Sequence, residues 1–258
     1  MSRCRWRFAG RLFRTLWAAP PAMRIALAAF ALLTLAFAVN WTYQVARKPA
    51  ELFFPVSGVL AKTPAETWRQ YESIFRAHAT PVMTPEFLAA LAQVEGAGNP
   101  VAHTPWRWRM TSHPAEIYRP ASSAVGMYQI TDATYADARR YCIHDHAVTQ
   151  DGPWHDPASC WFNGLYVRVV PSHAVEMTSA LLDRRVAEAL ERHRMRKATR
   201  EQQQDLAAII HLCGGAVGDA YAKRQFRLVA GQRCGDQDVR AYLSQVNAMK
   251  RVFLQLSK

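Results

Sequence analysis

The chain has 258 residues, half of them hydrophobic, and a formal net charge of +12. That length supports one sizeable globular core and leaves little room for a second, and it contains no internal repeat or low-complexity stretch. The positive charge alone invites a nucleic-acid role, but six of the charges are Arg3, Arg5, Arg7, Arg11, Arg14 and Arg24, no nucleic-acid-binding motif is present, and neither a Gly-x-Ser-x-Gly elbow nor a phosphate loop occurs.

In chain order, the arginine-rich stretch 1–21 carries no acidic residue and precedes an uncharged run from Ile25 to Val39. Residues 22–45 read as one transmembrane helix of about the 20 residues that a bilayer requires, with Trp41 and Tyr43 at the far interface. The arginine excess keeps the tail in the cytoplasm and exports the remainder. A cleaved signal peptide is the alternative, given the small-x-small pattern at Ala36, Phe37 and Ala38. The length of the basic and apolar segments favours the uncleaved anchor, which makes a single-pass protein with its body exported.

Residues 46–80, with Pro49, Pro55 and Pro64, read as a stem with a short helix over Glu66–His78. Residues 81–258 form the main domain, mainly α, with helices near 84–95, 132–142, 174–196, 201–213 and 236–256, and with long irregular segments at 97–125 and 143–172. Loops of that length in a compact helical domain are commonly functional. The basic stretch Arg184–Arg200 reads as a solvated helix face. An exported basic face could also draw in an anionic polymer.

Cys142, Cys160, Cys213 and Cys234 form an even set beyond the anchor, and Cys4 stands alone before it. Four cysteines pair in three ways. Cys142 with Cys160 and Cys213 with Cys234 close the shorter loops and suit an oxidising compartment. No cysteine spacing suits zinc, and His144 with His146 lacks a third ligand, so neither a metal nor a cofactor is expected.

In "FLAALAQVEGAGNPVA", residues 87–102, Thr84 can cap a helix with Pro85 at its first position, and Gly96 and Gly98 end it. Leu88, Leu91, Ala92 and Glu95 share one face. Glu95 therefore ends an apolar stripe, where loss of water disfavours the charged form and a protonated acid can hand its proton to a leaving group. The bland alternative is a helix-end glutamate paired with one of the many arginines.

"VEGAGNPVA" together with "SSAVGMYQITDATYADARRYC", residues 122–142, resembles the lytic transglycosylases of the soluble (SLT) type, lysozyme-like enzymes that cleave peptidoglycan. In that family a helix ends in Glu-Ser, an Asn-Pro often follows, and a Gly-Ala-x-Gly-Leu-Met-Gln-Ile segment leads to a helix that starts Pro-Ala-Thr. Glu95 stands at the catalytic position, Asn99 and Pro100 at the Asn-Pro, and Ala124, Gly126, Gln129, Ile130, Ala133 and Thr134 match the second segment. Gly96 replaces the Ser after the Glu, Ser123 the first Gly, Met127 and Tyr128 the Leu-Met, and Thr131 and Asp132 the Met-Pro. The family's Ala-x-Tyr-Asn-x-Gly falls on "AIIHLCGGAVGDAY", with His211 at the Tyr, Leu212 at the Asn and Gly214 at the Gly. The resemblance covers about residues 81–225.

The resemblance implies a lysozyme-like domain that cleaves the β-1,4 bond between MurNAc and GlcNAc and forms a 1,6-anhydro ring, with Glu95 acting first as acid and then as base. It assigns substrate contacts to Ser123, Met127, Tyr128, Gln129 and His211, the last in place of the family's tyrosine. Trp106 and Tyr118, aromatic residues in the loop between the two segments, suit the faces of sugars. Glycan strands and the membrane are then the partners, with any cell-envelope machinery unspecified. A muramidase of goose-lysozyme type needs a second carboxylate, for which Glu116, Asp132, Asp145, Asp151 and Asp156 are candidates. An inactive peptidoglycan-binding or scaffold protein is the reading from a different class.

Overall fold

The computed structural model describes residues 19–156, 158–195 and 197–258. The tail arginines Arg3–Arg14 and Cys4 lie outside the described residues. The chain is mainly helical and divides into two compact units, one of residues 1–51 with 106–119 and one of residues 52–105 with 120–258.

The first unit is built on α1 (Pro21–Arg47), whose 27 residues rise about 40 Å at 1.5 Å each. Its most apolar stretch has a mean hydropathy of 2.2 and is wholly exposed, so the helix is long and apolar enough to cross a membrane. A hairpin of β1 (Trp106–Trp108) and β2 (Tyr118–Pro120) accompanies it. Asn40 Nδ2 donates to the Tyr118 carbonyl at 2.8 Å and Gln44 Nε2 to the Ala115 carbonyl at 2.7 Å. Arg47 pairs with Glu116 at 2.6 Å. The fully buried Glu51 accepts from Trp106 Nε1 at 2.8 Å and pairs with Lys48 at 2.7 Å.

The second unit holds α2 (Pro64–Ala77), α3 (Pro85–Gly96), α4 (Asp132–Ala138), α5 (Pro171–Arg192), α6 (Arg200–Cys213), α7 (Gly215–Lys223) and α8 (Val239–Leu256). Its extended pieces are the short hairpins β3 (Tyr141–His144) with β4 (Ala147–Gln150) and β5 (Arg233–Cys234) with β6 (Gln237–Asp238). At the centre lies α3. Thr84 caps it by accepting from the Phe87 amide, and Phe87 to Ala92 are buried without interruption, so the helix is enclosed on every side rather than along one stripe. Around it pack Val239, Tyr242, Val246 and Phe253 of α8, spaced for a single face.

Two expectations are corrected. The stretch 46–80 is not a free stem: α2 carries a full capping box at Thr63 and Glu66 and buries Trp68, Tyr71 and Phe75 in the main core, with the Trp68 ring 5.7 Å from that of Phe253. The helix expected over 132–142 ends at Ala138, because Asp145 and His146 adopt left-handed φ of 50° and 61° and reverse the chain, pairing Cys142 with Thr149 across β3 and β4. The short α7 was not anticipated; it follows Gly214, whose φ of 82° breaks the helix before it.

The disulfides are Cys142–Cys160 and Cys213–Cys234. Their spans of 18 and 21 residues correspond to about 3 kcal/mol each in the loop-entropy account. The basic stretch from Arg184 is largely ion-paired along α5, with Arg184 on Glu188, Arg185 on Glu188 and Asp137, and Arg192 on Asp219.

The placement of α2 makes a direct prediction. Phe75→Ala removes a ring with no solvent exposure and should lower the unfolding free energy by about 3–5 kcal/mol. A residue on a free stem would shift the denaturation midpoint hardly at all.

Candidate functional site

The end of α3 meets the second motif segment backbone to backbone. A Cβ on Gly96 would lie 2.8 Å from Met127 Cα and 2.9 Å from its carbonyl oxygen, so the residue after Glu95 must be glycine here for the segment to close on the helix. Beyond it Ala97 caps the helix in the left-handed region with φ 49°. Buried Asn99 then fixes the turn, donating to the Ser57 carbonyl at 2.7 Å and accepting from the Val101 amide at 2.9 Å.

The second segment is equally constrained. Gly126 has φ 80°, and a Cβ there would lie 2.6 Å from the Arg168 carbonyl. Val125 and Ile130 exchange backbone hydrogen bonds at 3.2 and 3.0 Å, closing a tight turn that forces Gln129 to a left-handed φ of 47°. Such a conformation costs a non-glycine residue on the order of 1 kcal/mol. The Gln129 amide offsets it by donating to the carbonyls of Gly126 at 2.9 Å and Ala102 at 3.2 Å. Arg168 pins the turn from outside, donating to the carbonyls of Ser123 and Ile130 and pairing with Asp132 at 2.8 Å.

Glu95 is half-buried, its side chain 16% exposed. Tyr242 of α8 donates its hydroxyl to Glu95 Oε1 at 2.5 Å, and His211 Nε2, from the last turn of α6, lies 3.7 Å from the same oxygen. Burial, and then the adjacent carboxylate, push the Tyr242 hydroxyl well above the ordinary tyrosine range, so it remains a donor throughout the physiological range.

His211 and Gln129 both line a cavity of about 550 Å³ between α4, α5 and the α6–α7 junction. Glu95 does not itself line it; its link to the cavity is His211. The cavity wall mixes Ile130, Met177 and Leu181 with Asp137, Arg185 and Asp219. Thr178 also borders it, with its hydroxyl buried and without a hydrogen-bond partner among the described residues.

The α5 wall is fixed by Glu176, which is buried and accepts from the Ile143 amide at 3.0 Å and the Tyr166 hydroxyl at 2.6 Å. Tyr166 stacks on His173 at 4.1 Å, and His78 Nδ1 lies 3.6 Å from Glu176. Burial holds both histidines below their ordinary value of 6.5, and Glu176 opposes this in part.

Of the residues singled out in the sequence, Glu95, Gln129 and His211 thus come together. Met127 and Tyr128 do not present a binding surface: both are fully buried, and the Tyr128 hydroxyl donates to the Leu88 carbonyl at 3.1 Å. Ser123 accepts from the Asp132 amide at 3.1 Å and so ties the loop to the start of α4. Trp106 and Tyr118 belong to the other unit, where their rings lie 5.2 Å apart. Strand pairing and the polar groups of α1 hold them there.

Tyr242, Arg168 and Thr178 were not found from the sequence. Tyr242 sits between Val239 and Val246 on the apolar stripe of α8, a pattern indistinguishable from plain core. Arg168 and Thr178 act through contacts distant in sequence, which spacing does not encode. No protein-family model and no curated protein matches the chain.

Two outcomes are expected from this geometry. Gly96→Ser, although it restores the residue of the resembling family, should destabilise the second unit by about 1–3 kcal/mol through the clash with Met127, read by chemical denaturation. Because His78 and His173 titrate lower in the folded chain than in the unfolded one, the unfolded state takes up protons first on acidification. Stability that is full above pH 6.5 should therefore fall as pH drops below it, and His78→Gln should flatten that slope.

Proposed function

We propose that the second unit is a lysozyme-like domain that acts as a lytic transglycosylase on peptidoglycan, with Glu95 as its single acid and base. The observation that carries the reading is the convergence on one carboxylate of groups from separate elements: Tyr242 and His211 at Glu95 Oε1, with Gln129 of the second motif segment on the cavity that His211 borders. Glu95, Gln129 and His211 stand in the segments that resemble the SLT enzymes, and Tyr242 lies outside them.

In this mechanism Glu95 protonates the glycosidic oxygen as the bond to the departing sugar breaks. The resulting carboxylate then takes the proton from the C6 hydroxyl of the same muramic acid residue, whose oxygen closes the 1,6-anhydro ring on the anomeric carbon. The nucleophile is already attached to the substrate, and its proximity replaces much of what a second carboxylate would supply. Tyr242 and His211 both engage Oε1, so proton transfer falls to Oε2. Tyr242 serves as a positioning donor.

The two carboxylates that line the cavity favour this scheme over hydrolysis. Asp137 and Asp219, which line the cavity, are ion-paired with Arg185 and Arg192. Among the sequence candidates for a second carboxylate, Glu116 pairs with Arg47 and Arg119, Asp132 with Arg168, and Asp151 with Arg140. A carboxylate held ionised by an adjacent guanidinium is a weaker general base for water.

We further propose that α1 spans a bacterial inner membrane once and that the second unit lies in the periplasm. The wholly exposed apolar surface of α1 calls for lipid, and the two disulfides suit an oxidising compartment.

The test is mass spectrometry of soluble products after the full chain, in detergent, is incubated with purified peptidoglycan. Muropeptides one water lighter than hydrolysis products, with anhydro ends, are expected, and Glu95→Gln should abolish them. Tyr242→Phe should lower kcat about 10- to 100-fold with little change in KM, the range for one hydrogen bond to a charged group. Reducing ends would point to a hydrolase. Sedimentation of the protein with peptidoglycan without any product would point to a binding protein.

A further inference from the structure

We infer that the hairpin Trp106–Arg119 is seated in the membrane at the boundary between hydrocarbon and headgroups, and that the apolar pocket it forms on α1 holds a phospholipid acyl chain. The inference rests on α1 spanning a bilayer, as proposed above.

Depth is the first argument. Arg24 is the last charge before the apolar run of α1, and about 20 residues at 1.5 Å each cross a hydrocarbon layer of about 30 Å. Counted from Arg24, that distance ends near Gln44. The residues of α1 that bond to the hairpin, Asn40, Gln44 and Arg47, thus lie in the half of the layer remote from Arg24 and at its surface.

Within that stretch stand two uncharged polar residues, Asn40 and Gln44. In water neither would need a protein partner; at the edge of hydrocarbon an unsatisfied amide is costly. Both amide nitrogens donate to carbonyls of the hairpin, at 2.8 and 2.7 Å; Gln44 is only 5% exposed, and Asn40 Oδ1 is buried without a partner among the described residues. Farther along α1, where headgroups begin, the contact changes from amide to charge with the Arg47–Glu116 pair. The hairpin therefore follows the polarity gradient of a membrane surface.

Its remaining surface suits the same boundary. Leu33, Phe37, Trp108, Ile117 and Tyr118 enclose a pocket of about 340 Å³ whose walls are almost wholly apolar. Trp108 is 76% exposed and Met110 entirely so. The alternation Trp106-Arg107-Trp108-Arg109 sends its two rings to the side of Tyr118, which both contact, and its arginines to the opposite side. Tryptophan with arginine at one level is the composition of a membrane interface, where rings sit among headgroups and guanidinium groups meet phosphate. A boundary position also keeps the open edges of a two-stranded sheet hydrated, which the hydrocarbon interior would not.

The experiment uses the full chain with Cys4→Ser, which leaves only disulfide-bonded cysteines, and a single added cysteine carrying an environment-sensitive fluorophore. Met110→Cys reports on the hairpin and Leu32→Cys on α1; both side chains point outward. In vesicles of phosphatidylcholine and phosphatidylglycerol, the label at 110 should shift to the blue and lose most of its emission to lipids bearing a nitroxide near the headgroup. It should also be shielded from aqueous iodide. A label at 110 quenched by iodide and untouched by the lipid nitroxide, while the label at 32 remains in lipid, would overturn the hairpin's place and leave the anchor standing. A label at 32 that is itself exposed to iodide would remove the anchor and this inference with it.

Discussion

The second unit depends on the closeness with which one backbone approaches another at the end of its central helix. Because α3 is apolar on all sides from Phe87 to Ala92, its position is set by the whole core. Only its last turn has latitude to carry a charge. Gly96 lets the Met127 backbone lie within van der Waals reach of that turn, and this single approach converts a buried helix end and a strained loop into one rigid edge. Glu95 and Gln129 stand on the two sides of it. Were either backbone to move by an ångström, the carboxylate and the cavity wall would lose their common frame.

That frame is held from the far side by strong but ordinary means. Arg168 satisfies carbonyls at both ends of the 123–130 turn, and the left-handed Gln129 is offset by its own side chain. Glu176 gathers an amide and a phenol to fasten the α5 wall.

Much of this was legible. The capping signal at Thr84–Pro85 and the glycine stop placed α3 to within a residue, and the loop-length argument gave both disulfides. Glu95 stood out because a charge at the end of an apolar run is informative in itself. What was not legible depended on distance in the chain. Trp68, Tyr71 and Phe75 followed a proline-rich segment and read as stem, although their spacing already described a buried face. Trp106 and Tyr118 had the chemistry of a sugar platform but the location of a hairpin on α1. Met127 and Tyr128 shared a motif with Gln129, yet the left-handed Gln129 borders the cavity while Met127 and Tyr128 are fully buried in the core. A motif specifies which backbone path is taken, and the path decides which side chains remain for chemistry.

The contrast between His211 and Tyr242 sharpens that point. The third motif segment, compared position by position, substitutes an imidazole for the expected phenol, which suggests a loss. In space the imidazole lies 3.7 Å from Glu95, while a phenol from α8 hydrogen-bonds that carboxylate. Two groups from different helices thus approach one carboxylate oxygen. They differ in kind: burial and the neighbouring charge keep the Tyr242 proton in place, whereas His211 lines the cavity. On the proposed mechanism the phenol fixes the orientation of Glu95 in both half-reactions. The imidazole, and not the tyrosine, borders the space where the sugar would lie.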